Sequence, residues 1–168
     1  DHGAQIIAGP PRPGDRRLWQ GDNPDFTDTV GEVRLGRNVH VANFCVLQGH
    51  GGLQIGDNIT TASGSKVYSM SHHHANPADP SDRHKYKFST MAPARDQSLV
   101  AAPVVLQDDA ALGLNSVVLP GVTLGAGSWV AAGSVVTRSL PANVLAGGAP
   151  ARVLREDLTP GWSVPGRG

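Results

Sequence analysis

From Leu106 onward an aliphatic residue returns at every sixth position: Leu106, Leu112, Val118, Leu124, Val130 and Val136. Four places after each of the first five stands a small or β-branched residue: Ala110, Ser116, Val122, Ser128 and Ser134. The same double spacing runs through Leu35, Val41 and Leu47, followed by Val39, Cys45 and Gly51. It runs again through Ile55, Thr61 and Val67, followed by Ile59, Ser65 and Ser71. The step from Leu47 to Ile55 is longer, so residues are inserted near Gly49-His50-Gly51-Gly52, and Leu140 follows Val136 too soon and breaks the pattern.

A period of six is not helical, because 3.6 does not divide it. It is even, so it returns a residue to the same face of a strand. A single long strand does not carry Gly and Pro at regular intervals. Short strands separated by turns solve the problem. Three strand-turn units close one triangular coil, and coils stack about 4.8 Å apart as parallel strands. Each aliphatic residue then points into a narrow prism, and each small residue sits near a corner. The spacing predicts an all-β parallel β-helix with coils at 35–54, 55–72, 106–123 and 124–141, a partial coil before 35, and very little helix. A jelly roll or sandwich would alternate by two, with turns every roughly 8–12 residues.

Composition agrees with many tight turns. The 168 residues hold 21 Gly and 13 Pro, yet aromatics are only 5%. The length suits one domain over 1–168. An open solenoid needs its ends covered. The segment 1–30, with Pro10, Pro11, Pro13 and Trp19, is expected to flank or cap one end, and the tail 150–168 the other, with Arg152 to Glu156 as a short strand or turn. The 14 basic and 14 acidic residues cancel, which removes the electrostatic argument for a nucleic-acid partner. No apolar run approaches the roughly 18–20 residues of a membrane span. The start Asp1-His2-Gly3-Ala4 does not read as a signal peptide, and Cys45 alone forms no internal disulfide. A cytoplasmic protein is the expectation. Cys45 occupies a small-residue position and reads as core packing rather than as a nucleophile.

Between Val67 and Leu106 the period fails. Residues 73–103 form a polar insertion with His73, His74, His84 and the stretch Arg83-His84-Lys85-Tyr86-Lys87. A loop this long in a compact domain is usually functional, and specificity is expected to reside in it rather than in the repeat. Its apolar residues Phe88, Met91 and Leu99 suggest packing, against a neighbouring subunit among other surfaces.

Several stretches resemble one family. They are Leu35-Gly36-Arg37-Asn38-Val39-His40-Val41-Ala42-Asn43-Phe44, Ile55-Gly56-Asp57-Asn58-Ile59 running to Ser69-Met70-Ser71-His72, and Leu112-Gly113 through Leu119-Pro120-Gly121-Val122-Thr123-Leu124-Gly125. Val130 to Arg138 and Gly148-Ala149-Pro150-Ala151-Arg152-Val153-Leu154-Arg155 complete the set. Over residues 33–156 the chain resembles the hexapeptide-repeat acetyltransferases, especially the maltose and galactoside O-acetyltransferase branch and its polysaccharide-modifying relatives.

The resemblance implies a left-handed β-helix, a homotrimer, and acetyl-CoA held in clefts between adjacent helices. It implies that His72 is the general base and that Asn43 lies near the acceptor hydroxyl. It places Ala132 on the pantetheine arm, and Thr137, Arg138, Arg152 and Arg155 near the nucleotide phosphates. His73, His74 and Tyr86 are candidates for the acceptor side, a sugar, polysaccharide or glycosylated small molecule. One departure stands out. The family often carries a tryptophan just before the Leu112-Gly113 equivalent; here Ala110-Ala111 precede it, and Trp129 lies further along.

The chemistry needs a base because a hydroxyl is a poor nucleophile. Imidazole titrates near pH 6.5, so it is mostly basic at pH 7. The hydroxyl then attacks an already activated thioester, with no covalent enzyme intermediate. Transfer to the amine of an amino-sugar is the nearest alternative. A scaffold without catalysis is a second. A γ-carbonic-anhydrase-like zinc protein is a third, since three histidines and a water satisfy catalytic zinc. That family carries an H-x4-H pair which this sequence lacks, so no metal is expected.

Overall fold

The computed structural model describes residues 2–9 and 18–158. Strands β1 (Gln5–Ile7) and β2 (Leu18–Gln20) precede the repeat. The first coil is β3 (Val33–Leu35), β4 (His40–Val41) and β5 (Val46–Gln48). The second is β6 (Leu53–Ile55), β7 (Thr60–Thr61) and β8 (Lys66–Tyr68). The chain then leaves the prism through β9 (Met70–His72), makes a 3-10 turn at Ala94–Asp96, and returns through β10 (Leu99–Ala101). The third coil is β11 (Val104–Leu106), β12 (Ala111–Leu112) and β13 (Val117–Val118). The fourth is β14 (Thr123–Leu124), β15 (Trp129–Val130) and β16 (Val135–Val136). Strands β17 (Leu145–Gly148) and β18 (Ala151–Arg155) follow.

Stacking these coils makes three parallel sheets, the faces of a left-handed triangular prism. The first face is β3-β6-β11-β14, the second β4-β7-β12-β15-β17, and the third β1-β5-β8-β13-β16. Register is kept coil to coil: Ala111 pairs with Trp129, Val117 with Val135, and Leu106 with Leu124. Consequently Ile55, Leu106 and Leu124 fill the prism from the first face, Leu112 and Val130 from the second, and Leu47, Val67, Val118 and Val136 from the third, all buried. The coils expected from spacing match this frame to within two residues at their starts.

Leu140 differs from its sequence reading. The step from Val136 is short, yet Leu140 bridges Leu124 on the first face and is only 8% exposed. The fourth corner is cut, and the inward column continues through it.

The corners explain the second spacing. Three residues after each inward residue the backbone enters the left-handed region: Asn38, Asn58, Asp109, Gly127 and Asn143 between the first and second faces, Phe44, Gly64, Asn115 and Gly133 between the second and third. One such residue turns the chain sharply, and Asn, Asp and Gly tolerate it best. The residue after it points inward where the walls converge, so Cys45, Ser65, Ser116 and Ser134 are small and buried. Asparagines at the first corner also stack, with Asn38 Nδ2 donating to Asn58 Oδ1 at 3.0 Å and Asn58 Nδ2 to Asp109 Oδ1 at 3.0 Å. Phe44 is the exception, a bulky residue at φ 60° and 67% exposed. Gly113 has a different reason: a Cβ there would lie 2.6 Å from the Ala132 backbone nitrogen in the next coil.

At the start of the prism β1 lies parallel to β5. At the other end β18 folds back antiparallel on β17. Of the flanking residues read from the sequence, Trp19 falls in β2, while Pro10, Pro11, Pro13 and residues 159–168 lie outside the described residues. Outside the prism, β2, β10 and β9 make a small accessory sheet, with β10 parallel to β2 and antiparallel to β9.

Leu106 has neighbours on every side, whereas Leu35 at the first coil is 40% exposed. Leu106→Ala should therefore cost about 2–5 kcal/mol, and Leu35→Ala less than about 1 kcal/mol. Urea unfolding of both variants checks the contrast.

Candidate active site

Two surfaces carry the residues expected to act, and they lie on opposite sides of the prism. The first is a groove of about 550 Å³ over the second face. Its floor follows the outward column Thr60, Ala111, Trp129 and Leu145, and its edge is Ala62, Gly113, Leu114, Ala131 and Ala132. Small residues leave the space and large ones wall it. Trp129, 51% exposed, stands directly beside Ala111 in the ladder. Trp129 therefore stands one coil further on in the column that Ala111 occupies before Leu112. Leu145 pairs with Arg155 across the β17–β18 turn-back, which puts that arginine next to the groove. Arg152 shares β18, where its Nη1 donates to the Ala151 carbonyl at 2.8 Å.

Leu114 and Ala132 on the groove's edge belong to a column of residues preceding the left-handed position, which begins with Asn43 and Ser63. Their order is fixed by backbone bonds, with Asn43 O accepting from Gly64 N at 2.9 Å and Leu114 O from Gly133 N at 2.8 Å. Asn43 and Ala132 therefore share one edge, three coils or about 14 Å apart. Asn43 is exposed.

The second surface is the corner between the third and first faces, where β9 leaves and β10 returns. His72 ends β9, paired with Leu99 of β10. Its Nε2 lies 3.2 Å from Gln97 Oε1, and its ring centroid 6.5 Å from that of Phe88. His73 and His74 stack on each other at 4.6 Å, and His73 Nδ1 accepts from Ala75 N at 3.2 Å. The three histidines do not converge, and among the described residues no three His, Cys, Asp or Glu side chains are placed to hold a metal ion together. Thr137 and Arg138 lie exposed at this same corner, past β16.

Tyr86, a candidate for the acceptor side, is 4% exposed, and its hydroxyl donates to Asp82. Asp82 also accepts from Asn76 Nδ2 at 3.2 Å and from His84 N at 2.8 Å. Lys87 Nζ lies 3.5 Å from Asp96. These bonds give the loop a polar core of its own, in which the Tyr86 ring is buried. Nearby, Ser81 donates from its hydroxyl and its N–H to Asp79, which holds that carboxyl below its ordinary value. Phe88 and Met91 remain exposed.

Sequence reading missed Gln97 and Leu114. Neither belongs to a motif; Gln97 becomes visible only once β9 and β10 are paired.

Residues 103–138 match the family model described as hexapeptide repeat of succinyl-transferase. Over 56 residues the chain is 45% identical to 2,3,4,5-tetrahydropyridine-2,6-dicarboxylate N-acetyltransferase of Staphylococcus aureus, a stretch covering 33% of this chain and 23% of that enzyme. The chain thus matches less than a quarter of the length of that relative. Among solved structures, a hexapeptide-repeat acetyltransferase from Vibrio cholerae O1 biovar eltor complexed with acetyl-CoA superposes with a TM-score of 0.59 at 28% identity, over 92% of this chain and 71% of that one. A maltose O-acetyltransferase from Clostridium difficile 630 gives 0.58 at 23% identity, over 93% and 69%. AntD, an N-acyltransferase from Bacillus cereus in complex with dTDP and 3-hydroxybutyryl-CoA, gives 0.62 at 23%, over 92% and 77%.

Replacing Tyr86 by Phe removes the Asp82 bond without emptying the space. A bond of this kind is worth about 0.5–1.5 kcal/mol, or up to about tenfold in local opening. Hydrogen exchange followed by mass spectrometry should show faster exchange across 73–98 and unchanged protection in the coils.

Proposed function

We propose that this hexapeptide-repeat β-helix is an acetyl-CoA-dependent O-acetyltransferase, acting on a hydroxyl of a sugar, polysaccharide or glycosylated small molecule. The observation that carries the reading is the groove over the second face, whose apolar floor and Trp129 wall suit a thioester arm. The similar Vibrio cholerae structure is a complex with acetyl-CoA. Bound acetyl-CoA supplies an acyl group already activated as a thioester.

In this reading Ala132 and its neighbours seat the arm, and Trp129 flanks it. His72 takes the proton from the acceptor hydroxyl as its oxygen bonds to the acyl carbon. The carbon–sulfur bond breaks, and the same imidazolium returns the proton to the departing sulfur. No proton is left over. Asn43, in the same corner column as Leu114 and Ala132, orients the acceptor.

One chain cannot do this alone, because His72 and the groove face opposite ways. Both contribute to one site when the His72 corner of one copy lies against the groove of the next. Repeating that contact around a three-fold axis closes a ring, which is the homotrimer of the proposal. Thr137 and Arg138, on the His72 corner, and Arg152 and Arg155, beside the groove, then approach the cofactor's phosphates from both copies. His73 and His74 line the acceptor side.

Transfer to an amine is the second reading, favoured by the stretch shared with an N-acetyltransferase. Thioester cleavage of acetyl-CoA, measured against maltose, galactosides, polysaccharides and amino-sugars, separates the two. With the best hydroxyl acceptor, His72→Ala should lower kcat by roughly 10²–10⁴. Near-normal transfer in that variant would remove His72 as the base. Trp129→Ala should raise KM for acetyl-CoA roughly tenfold with kcat held. Ultracentrifugation tests the trimer.

A further inference from the structure

We propose that Gln97 is the positioning residue for His72: it fixes which imidazole nitrogen carries the proton. The inference rests on His72 serving as the base. A glutamine side chain has one donating end and one accepting end. Gln97 Nε2 donates to the Ala92 carbonyl at 2.5 Å, and a carbonyl can only accept. The accepting end, Oε1, is therefore the end turned toward His72, 3.2 Å from Nε2. An oxygen there needs a proton on Nε2. The neutral ring then carries its proton on Nε2 and its lone pair on Nδ1, and among the described residues nothing hydrogen-bonds to Nδ1.

The backbone that carries Gln97 and the imidazole it faces are held as well. Gln97 N–H donates to the Ala94 carbonyl at 3.1 Å, closing the 3-10 turn that enters β10. The next residue, Ser98, accepts from His73 N at 2.8 Å, so the hairpin clamps both partners. Phe88 packs near the imidazole at a tilt of 56°. A base needs its lone pair toward the acceptor hydroxyl, and the wrong tautomer disarms it even where the geometry survives. Among the described residues, no residue of the repeat hydrogen-bonds to the His72 ring. The loop does, because both Gln97 and its anchor Ala92 belong to it.

The test uses the full chain labelled with 15N-histidine, in long-range proton–nitrogen NMR about two units above imidazole's usual pKa of 6.5. His72→Asn identifies the His72 signals. The expected spectrum shows Nε2 protonated and Nδ1 bare; a dominant Nδ1–H form overturns the proposal. Gln97→Met removes the acceptor at similar length and should lower the ratio of Nε2–H to Nδ1–H forms roughly three- to tenfold. Gln97→Ala serves the same purpose should the Met variant not fold. An unchanged ratio in the folded variant overturns the proposal. The two readings fail separately. If His72→Ala keeps acetyl transfer, the base assignment falls while the tautomer stands. If that variant is inactive and the ring is Nδ1–H, only the role of Gln97 falls.

Discussion

Each coil rests on the one before it through an inward side chain stacked over its counterpart, and that vertical register organises the molecule. Ile55, Leu106 and Leu124 form one such column, and Leu47, Val67, Val118 and Val136 another. A buried aliphatic column excludes water from the backbone ladders beside it. It also forbids slippage, because a shift of one residue would turn every inward side chain outward. The corner residues obey the same rule. A left-handed residue at a fixed offset keeps all three faces in phase, and a side chain with a short polar head, or none, accepts that backbone at least cost.

Rigid register has a consequence for function. Outward positions on one face are as strictly columnar as inward ones, so a few substitutions shape a long groove. Ala111 and Ala131 recede, Trp129 stands up, and Gly113 lets adjacent coils approach within a backbone's width. The remaining corner is free of the repeat and can be lengthened without disturbing the stack. The insertion after Tyr68 uses that freedom, and it brings its own order with it: an accessory sheet at its base and the Tyr86–Asp82 bond in its interior.

What could be read from the sequence follows from this division. Columns repeat, so five or six occurrences of one spacing expose the prism, its coils and its corners. Leu140 shows the limit: its spacing fails because the corner is cut short, while its burial and its bridge to Leu124 continue the column. Trp129 is harder still, since its value lies in standing beside Ala111, a neighbour eighteen residues away in the chain. Tyr86 is hard to place from the sequence, because a basic-aromatic composition does not reveal whether a ring faces solvent. Its partner, four residues back, draws the hydroxyl inward.

Gln97 is the extreme case. No periodicity includes it, and its meaning depends on Ala92, Ala94 and His72 at once. A repeat protein can hold a groove by stacking alone, but it cannot orient a proton that way, because every coil offers the same backbone geometry. Orientation requires an asymmetric set of donors and acceptors, and the loop is where the chain departs from symmetry. The same segment that interrupts the repeat therefore supplies what the repeat lacks. The β-helix fixes where the groove lies, and the hairpin fixes which way His72 presents its lone pair.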